Sequence, residues 1–259
     1  MSVSTATASS WFSGQHTNPA ALVRLFCFPY AGGGSLIYRQ WAKHLPDTIE
    51  VVRAHLPGRE GRLNEPPFTR LEPLITELVE AIRPFLDKPF VFFGHSMGGL
   101  ISFELTRRVH KEYGLLPAHL FISAYTAPHV PAEFKVNYTL PEPQFVEEVR
   151  RLNGTPSGVL DHAELKRLVL PLIRADFELC QTHDYVPGPP LYCPITVFGG
   201  LQDKEVDSRN LEAWRHYTTG PFVLHLLPGD HFFINNSQSH LLECILRDLH
   251  TSCGKAGQL

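Results

Sequence analysis

Short, largely apolar runs recur along the chain between longer segments with helical spacing. That alternation constrains the fold more than any other feature of the sequence. The runs fall at 23–30, 49–56, 90–95, 119–124, 194–200 and 222–227. Several hold almost no polar side chain (VFF, LFI, ITVF), as strands do when a parallel sheet is covered on both faces. Between them, 71–86, 99–110, 209–217 and 239–249 carry apolar residues at the spacing of one helical face. Repeated βα units of this kind predict the α/β class, a mostly parallel, doubly wound sheet with right-handed crossovers. No internal repeat is visible. With 259 residues, 43% of them hydrophobic and 19% charged, the chain has material for a sizeable core and is expected to fold as a soluble globule.

Charge and cysteine usage remove several classes of function. The formal net charge is −3 and no long charge run occurs, which argues against nucleic acid or a membrane surface as partner. No apolar run approaches the roughly 18 residues of a membrane span. Five cysteines, Cys27, Cys180, Cys193, Cys244 and Cys253, lack metal or disulfide-framework spacing, which suits a reducing compartment. Residues 1–20 are rich in Ser, Thr and Ala and hold no Lys or Arg, unlike a signal or transit peptide. They are expected to form a flexible tail on a cytoplasmic protein. The function must come from a pocket.

One segment breaks the alternation. Residues 125–193 are too long for a plain connection. Within them, 142–153 and 161–182 read as helices, and Pro171 is expected to kink or split the second. The division expected is a core over 21–127 and 191–259 with a helical insertion over 128–190. The face formed by Leu165, Leu168, Val169, Leu172 and Ile173 is expected to close over a pocket as a lid, with Leu165, Leu168, Val169 and Leu172 touching substrate.

The chemistry starts at Gly94-His95-Ser96-Met97-Gly98-Gly99, which follows a buried strand and precedes a helix. G-x-S-x-G in that context places a serine on a tight strand-to-helix turn, with glycines permitting the backbone approach. The hydroxyl then stands at a helix N-terminus, where free N–H groups and the dipole favour developing negative charge. Ser96 is the expected nucleophile, and the Met97 N–H one oxyanion donor. The second donor is expected from Pro29-Tyr30-Ala31-Gly32-Gly33-Gly34-Ser35, at Ala31, with Tyr30 the alternative. A dinucleotide loop does not fit, because the three glycines are consecutive and G-x-G-x-x-G is absent.

This architecture orders its triad serine, acid, histidine. Of 14 histidines, His231 follows the last strand across Pro228-Gly229-Asp230 and is the expected base. His225 lies inside the strand, His240 and His250 lie on the final helix, and His95 points elsewhere on the turn. For the acid, the segment after 119–124 begins Tyr125-Thr126-Ala127-Pro128-His129 with no carboxylate, whereas 194–200 is followed by Leu201-Gln202-Asp203. Asp203 is therefore chosen. Asp207 reads as a helix cap, and Asp230 is poorly placed as the neighbour of His231. No metal spacing exists, and neither a metal nor a cofactor is expected.

These stretches, together with Leu56-Pro57-Gly58-Arg59-Glu60, Arg62, Arg174-Ala175-Asp176 and Pro228 to Phe233, make the chain resemble the type II thioesterases. These are the stand-alone α/β-hydrolases that serve nonribosomal peptide, polyketide and fatty acid synthases. Two departures are mild: the family often has Ala at Gly99 and Gly at Asp230. The resemblance implies an α/β-hydrolase fold with a helical lid and hydrolysis of an acyl thioester on the phosphopantetheine arm of a carrier protein. That carrier, acyl- or peptidyl-, is the implied partner of a monomeric enzyme that needs no cofactor. A hydrolase of small diffusible esters or acyl-CoA would use the same triad. Arg59 and Arg62 follow a strand and could meet a phosphate, though a structural ion pair is the stronger expectation.

Overall fold

Six strands, β2 (Val23–Phe28), β3 (Ile49–Ala54), β4 (Phe90–His95), β5 (His119–Ser123), β6 (Ile195–Gly200) and β7 (Phe222–Leu227), pair in parallel in the order 3-2-4-5-6-7. These elements belong to a computed structural model, which describes residues 10–13, 18–131 and 136–253. A short strand, β1 (Phe12–Ser13), adds to the outer edge of β3 antiparallel, with Phe12 opposite Ala54.

Alternate strand residues feed two cores, as the period of two requires. Phe26, Phe28, Phe92 and Ile122 point to one face, where α1 (Leu71–Ile82) and α2 (Met97–Tyr113) cover them. Leu25, Cys27, Val91, Phe93 and Phe121 point to the other, against Trp41 and the final helix α8 (Gln238–Cys253). Every residue of β2, β4 and β5 is buried, which is why these runs carry almost no polar side chain. The exceptions pair locally: Arg24 reaches Glu50 at 2.8 Å and also Asp87. Cys27, Cys180, Cys193 and Cys244 are buried free thiols, while the side chain of Cys253 lies outside the described residues.

Two expectations need correction. The expected tail over 1–20 includes Trp11 and Phe12, which are buried in the core. Phe12 meets Phe26 and Phe85 edge to face, and the Arg62 guanidinium lies 4.1 Å from the Trp11 ring. Aromatic surface of this size is favourable to bury, and the unpaired edge of β3 offers the backbone partners. The rest of the expected tail, 1–9 and 14–17, lies outside the described residues. Of the two outcomes expected at Pro171, a kink or a split, the split does not occur.

The insertion carries α3 (Glu142–Leu152), α4 (Ser157–Asp161) and α5 (Ala163–Gln181), and α5 runs through Pro171. The break comes instead at His162, whose backbone is extended. A proline removes one hydrogen bond, while burial of Leu170, Leu172 and Ile173 on either side of it holds the helix together. Val136, Phe145, Val149, Leu160, Leu170 and Ile173 form a third small core belonging to the insertion. After β6 come α6 (Ser208–Glu212) and, after β7, α7 (Phe233–Asn236).

Candidate active site

The turn from β4 into α2 bears Ser96 at φ 53°, ψ −117°, a conformation that costs a non-glycine residue about 1–3 kcal/mol. The surrounding contacts impose it. A Cβ on Gly94 would come within 1.8 Å of the Gly98 carbonyl oxygen, and one on Gly98 within 2.0 Å of the Phe28 oxygen. Only glycine permits that approach on both sides. Ser96 N–H donates to Ser123 O at 2.7 Å, tying the turn to the end of β5. A Cβ at Gly99 would meet the Tyr125 Cβ at 3.0 Å, a close contact but not a backbone collision.

His231 arrives from β7, the edge strand of the sheet. β7 ends at Leu227, and a turn through Pro228 and Gly229 (φ +124°) delivers the ring to Ser96. Its Nε2 lies 3.1 Å from Ser96 Oγ, and its Nδ1 lies 2.9 Å from Asp203 Oδ2. Since a carboxylate only accepts, Nδ1 carries the proton and Nε2 accepts from the serine hydroxyl. Asp203 is held by the loop that follows β6. Its Oδ1 accepts from the Glu205 and Val206 amides at 2.8 and 3.2 Å. Burial pushes this carboxyl upward, but the His231 bond and charge and the two amides outweigh burial, so it sits below its ordinary value. It is ionised at neutral pH.

The competing acids and bases have other work. Asp207 caps α6 by accepting from the Arg209 amide at 2.7 Å. Asp230 accepts from Phe232 N–H at 2.9 Å within the turn. His225 pairs with Asp248 at 2.9 Å, and His240 and His250 are exposed. His95 does point away from Ser96, but it serves the site indirectly. Its Nε2 donates to the His231 carbonyl at 2.9 Å, which leaves Nδ1 to accept the Ser123 hydroxyl at 2.8 Å. Burial, then the neighbouring His231, lowers its pKa to about 3, so the ring stays neutral and the two bonds persist.

Ser96 and His231 open onto a cavity of about 580 Å³, and Tyr30, Ala31 and Met97 line it beside them. Val130, Val136, Leu152 and Phe177 of the insertion line it with apolar surface, and Lys204, Glu205 and Asn210 add polar lining. Leu165, Leu168, Val169 and Leu172 do not line this cavity, which corrects the expected lid face. Leu165 and Leu168 are 42% and 55% exposed, and Leu172 packs toward Gly58 and Pro67. The cavity is reached by the last turns of α5, through Phe177 and Cys180, and the chosen stripe is centred too far round the helix. Cys180 is no rival nucleophile, because burial raises its thiol well above the ordinary value. Among the described residues no group of three or more His, Cys, Asp and Glu could hold a metal ion.

Neither arginine of the 57–62 loop is available to a phosphate. Arg62 binds Glu65 at 2.5 Å and the His55 carbonyl at 2.8 Å. Arg59 is buried in a bidentate pair with Asp176.

The thioesterase domain description matches residues 23–253. The chain belongs to the thioesterase family. This thioesterase is 44% identical over 241 residues to the gramicidin S biosynthesis protein GrsT of Aneurinibacillus migulanus, covering 93% of this chain and 94% of that one. Among solved structures it is similar to RedJ, a thioesterase from the prodiginine pathway of Streptomyces coelicolor. That match has 39% identity and a TM-score of 0.82, covering 88% of this chain and 86% of the other. It is similar also to BorB, a type II thioesterase from the borrelidin cluster, at 34% identity and a TM-score of 0.84 over 93% and 98% of the two chains. The α/β-hydrolase-like sheet of this thioesterase is thus shared with its structural relatives. No described helix is long and apolar enough to cross a membrane.

Proposed function

We propose that the chain hydrolyses acyl thioesters held on the phosphopantetheine arm of carrier proteins in nonribosomal peptide or polyketide synthesis, with Ser96, His231 and Asp203 as the triad. The observation that carries the mechanism is the pair of contacts from His231, 3.1 Å to Ser96 Oγ and 2.9 Å to Asp203 Oδ2. The relatives supply the substrate class: GrsT is named for gramicidin S biosynthesis and BorB as a type II thioesterase.

Ser96 Oγ attacks the thioester carbonyl while His231 Nε2 takes its proton. The amides of Met97 and Ala31 hold the resulting oxyanion. Collapse breaks the C–S bond, His231 returns the proton to the leaving thiolate, and acyl-Ser96 remains. Water, activated by the same imidazole, then releases the acid and restores the hydroxyl. Asp203 stays ionised throughout and stabilises the imidazolium. The cavity lining suits both parts of such a substrate. Val130, Leu152 and Phe177 offer apolar surface to an acyl group, and Lys204, Glu205 and Asn210 offer polar groups to the amide-bearing arm.

The test is kcat/KM for one acyl group presented as acyl-carrier protein, as acyl-CoA and as a p-nitrophenyl ester under a single condition. The proposal expects the carrier-bound form to be hydrolysed most efficiently. Equal or reversed values would favour the rival reading, a hydrolase of diffusible esters or acyl-CoA.

A further inference from the structure

We propose that Arg59 and Asp176 are positioning residues that hold the second half of the oxyanion hole from outside the cavity, through the loop containing Ala31. The inference rests on the assignment of the Ala31 amide as an oxyanion donor.

The loop that follows β2 has one internal turn bond and otherwise depends on distant residues. It carries Gly32, Gly33 and Gly34 in succession, with Gly32 at φ +76°, and glycine backbones are the least restricted. At its far end Glu60 accepts from the Ser35 hydroxyl and the Leu36 amide, at 2.7 and 2.9 Å, and three further bonds bear on the glycines. Gly32 N–H donates to Asp176 Oδ2 at 2.7 Å. Gly33 N–H donates to the Tyr30 carbonyl at 2.9 Å. The Gly33 carbonyl in turn accepts from Arg59 Nη1 at 2.9 Å.

These bonds fix the two peptide planes on either side of the Ala31 Cα. The Tyr30 carbonyl and the Ala31 N–H share a planar trans unit and point in opposite directions. Turning the Tyr30 oxygen toward Gly33 therefore turns the Ala31 N–H away from it. The next plane is pinned by the Gly32 N–H on Asp176. An oxyanion donor works because it is aimed before the charge develops, so whatever fixes these planes sets the strength of the hole.

Asp176 is a fixed anchor. It is 2% exposed, sits on α5 in the insertion, and offers both oxygens to Arg59, at 2.9 Å from Nη1 and 2.8 Å from Nη2. Arg59 is 6% exposed and also donates from Nε to the Pro57 carbonyl at 3.2 Å. A bidentate pair of this geometry allows neither partner to rotate. Ile173, one turn earlier on α5, closes the same contact. A Cβ on Gly32 would lie 2.8 Å from Ile173 Cγ1. The insertion therefore touches the catalytic apparatus at two places: its apolar wall contacts the cavity, and Asp176 contacts the backbone behind Ala31.

The test uses the full chain and reads three quantities for wild type, Asp176→Asn and Arg59→Lys. They are kcat and KM on a p-nitrophenyl ester, and the Ki of a trifluoromethyl ketone, which forms a tetrahedral adduct on Ser96. None depends on the carrier-protein assignment, so failure of that reading would leave this result intact. Misplacing a catalytic group by a fraction of an ångström to 1 Å costs up to about 10²-fold. The expected result is a fall in kcat of about 10- to 100-fold for Asp176→Asn, with KM within about threefold and Ki weakened in proportion to kcat. Arg59→Lys keeps the charge and loses the fork, and should fall between it and wild type. Should Asp176→Asn fail to fold, Arg59→Lys decides alone. A folded variant with unchanged kcat, or with kcat lowered while Ki holds, would overturn the proposal.

Discussion

At the residue scale, each group around Ser96 is held by an identifiable partner, and the consequences separate cleanly. Asp203→Asn leaves an oxygen for the Glu205 and Val206 amides but turns an N–H toward His231 Nδ1, favouring the wrong tautomer. It should cost about 10⁴ in kcat. Ser96→Ala should cost more, about 10⁶. Asp207→Asn should stay near wild type, since asparagine caps a helix about as well as aspartate. Measured kcat, with circular dichroism to verify folding, checks all three; a crippled Asp207→Asn beside an active Asp203→Asn would contradict the assignment. Acid stability gives a second check. Burial is the main cause that lowers His95 to about 3 and His119 to about 4. Between those values and the ordinary 6.5, only the unfolded chain binds these protons, so stability falls as pH drops through that window. Each histidine contributes a slope of about 1.4 kcal/mol per pH unit. Tm should decline steadily from pH 7 to 4.5, and His119→Gln should flatten the decline. A constant Tm over that range would contradict the buried, neutral assignment. The three residues of the proposed triad could be singled out in the sequence because each follows a recognisable strand. The bond from His95 to the His231 carbonyl was not, because it joins residues 136 apart in sequence through a backbone atom.

At the scale of elements, the strands show how far patterning carries. The buried runs of β2, β4 and β5 reveal themselves because both faces are covered. The insertion is harder to read. Apolar residues ring much of α5, so periodicity alone cannot say which arc faces the cavity. Leu165, Leu168, Val169, Leu172 and Ile173 fit the expected stripe, while Phe177 and Cys180 fall on another arc, the one that lines the cavity. Only the elements packed against α5 distinguish them, and those come from distant segments. The observed orientation makes a prediction. Phe177→Ala enlarges the cavity wall and should shift kcat/KM toward longer or bulkier acyl groups across a chain-length series. Leu168→Ala, at an exposed position, should leave that profile unchanged and alter stability by less than about 0.5 kcal/mol. A shifted profile for Leu168→Ala with none for Phe177→Ala would restore the stripe expected from sequence. Trp11 and Phe12 escaped notice for a related reason. A two-residue strand has no period, and its partner, the edge of β3, is set by the fold.

At the scale of the whole molecule, the sheet brings four loops to one edge. Ala31 follows β2, Ser96 follows β4, Asp203 follows β6 and His231 follows β7, all at carboxyl ends of parallel strands. Parallel pairing makes those ends converge, as it does in other open α/β sheets. The insertion then closes the edge with an apolar wall from α3 and α5. Two cores of aromatic and aliphatic residues keep the strands in register, so the 2.9–3.1 Å contacts of His231 with Asp203 and Ser96 are the product of packing far from the site. The account stands or falls on a covalent acyl-Ser96 intermediate. Rapid acid quenching of the enzyme with an acyl thioester, followed by intact-mass measurement and peptide mapping, tests this directly. The account predicts a mass increase equal to the acyl group, located on the peptide containing Ser96 and absent from Ser96→Ala. An acyl group mapped to another residue, or a Ser96→Ala variant that still turns over at the wild-type rate, would contradict it.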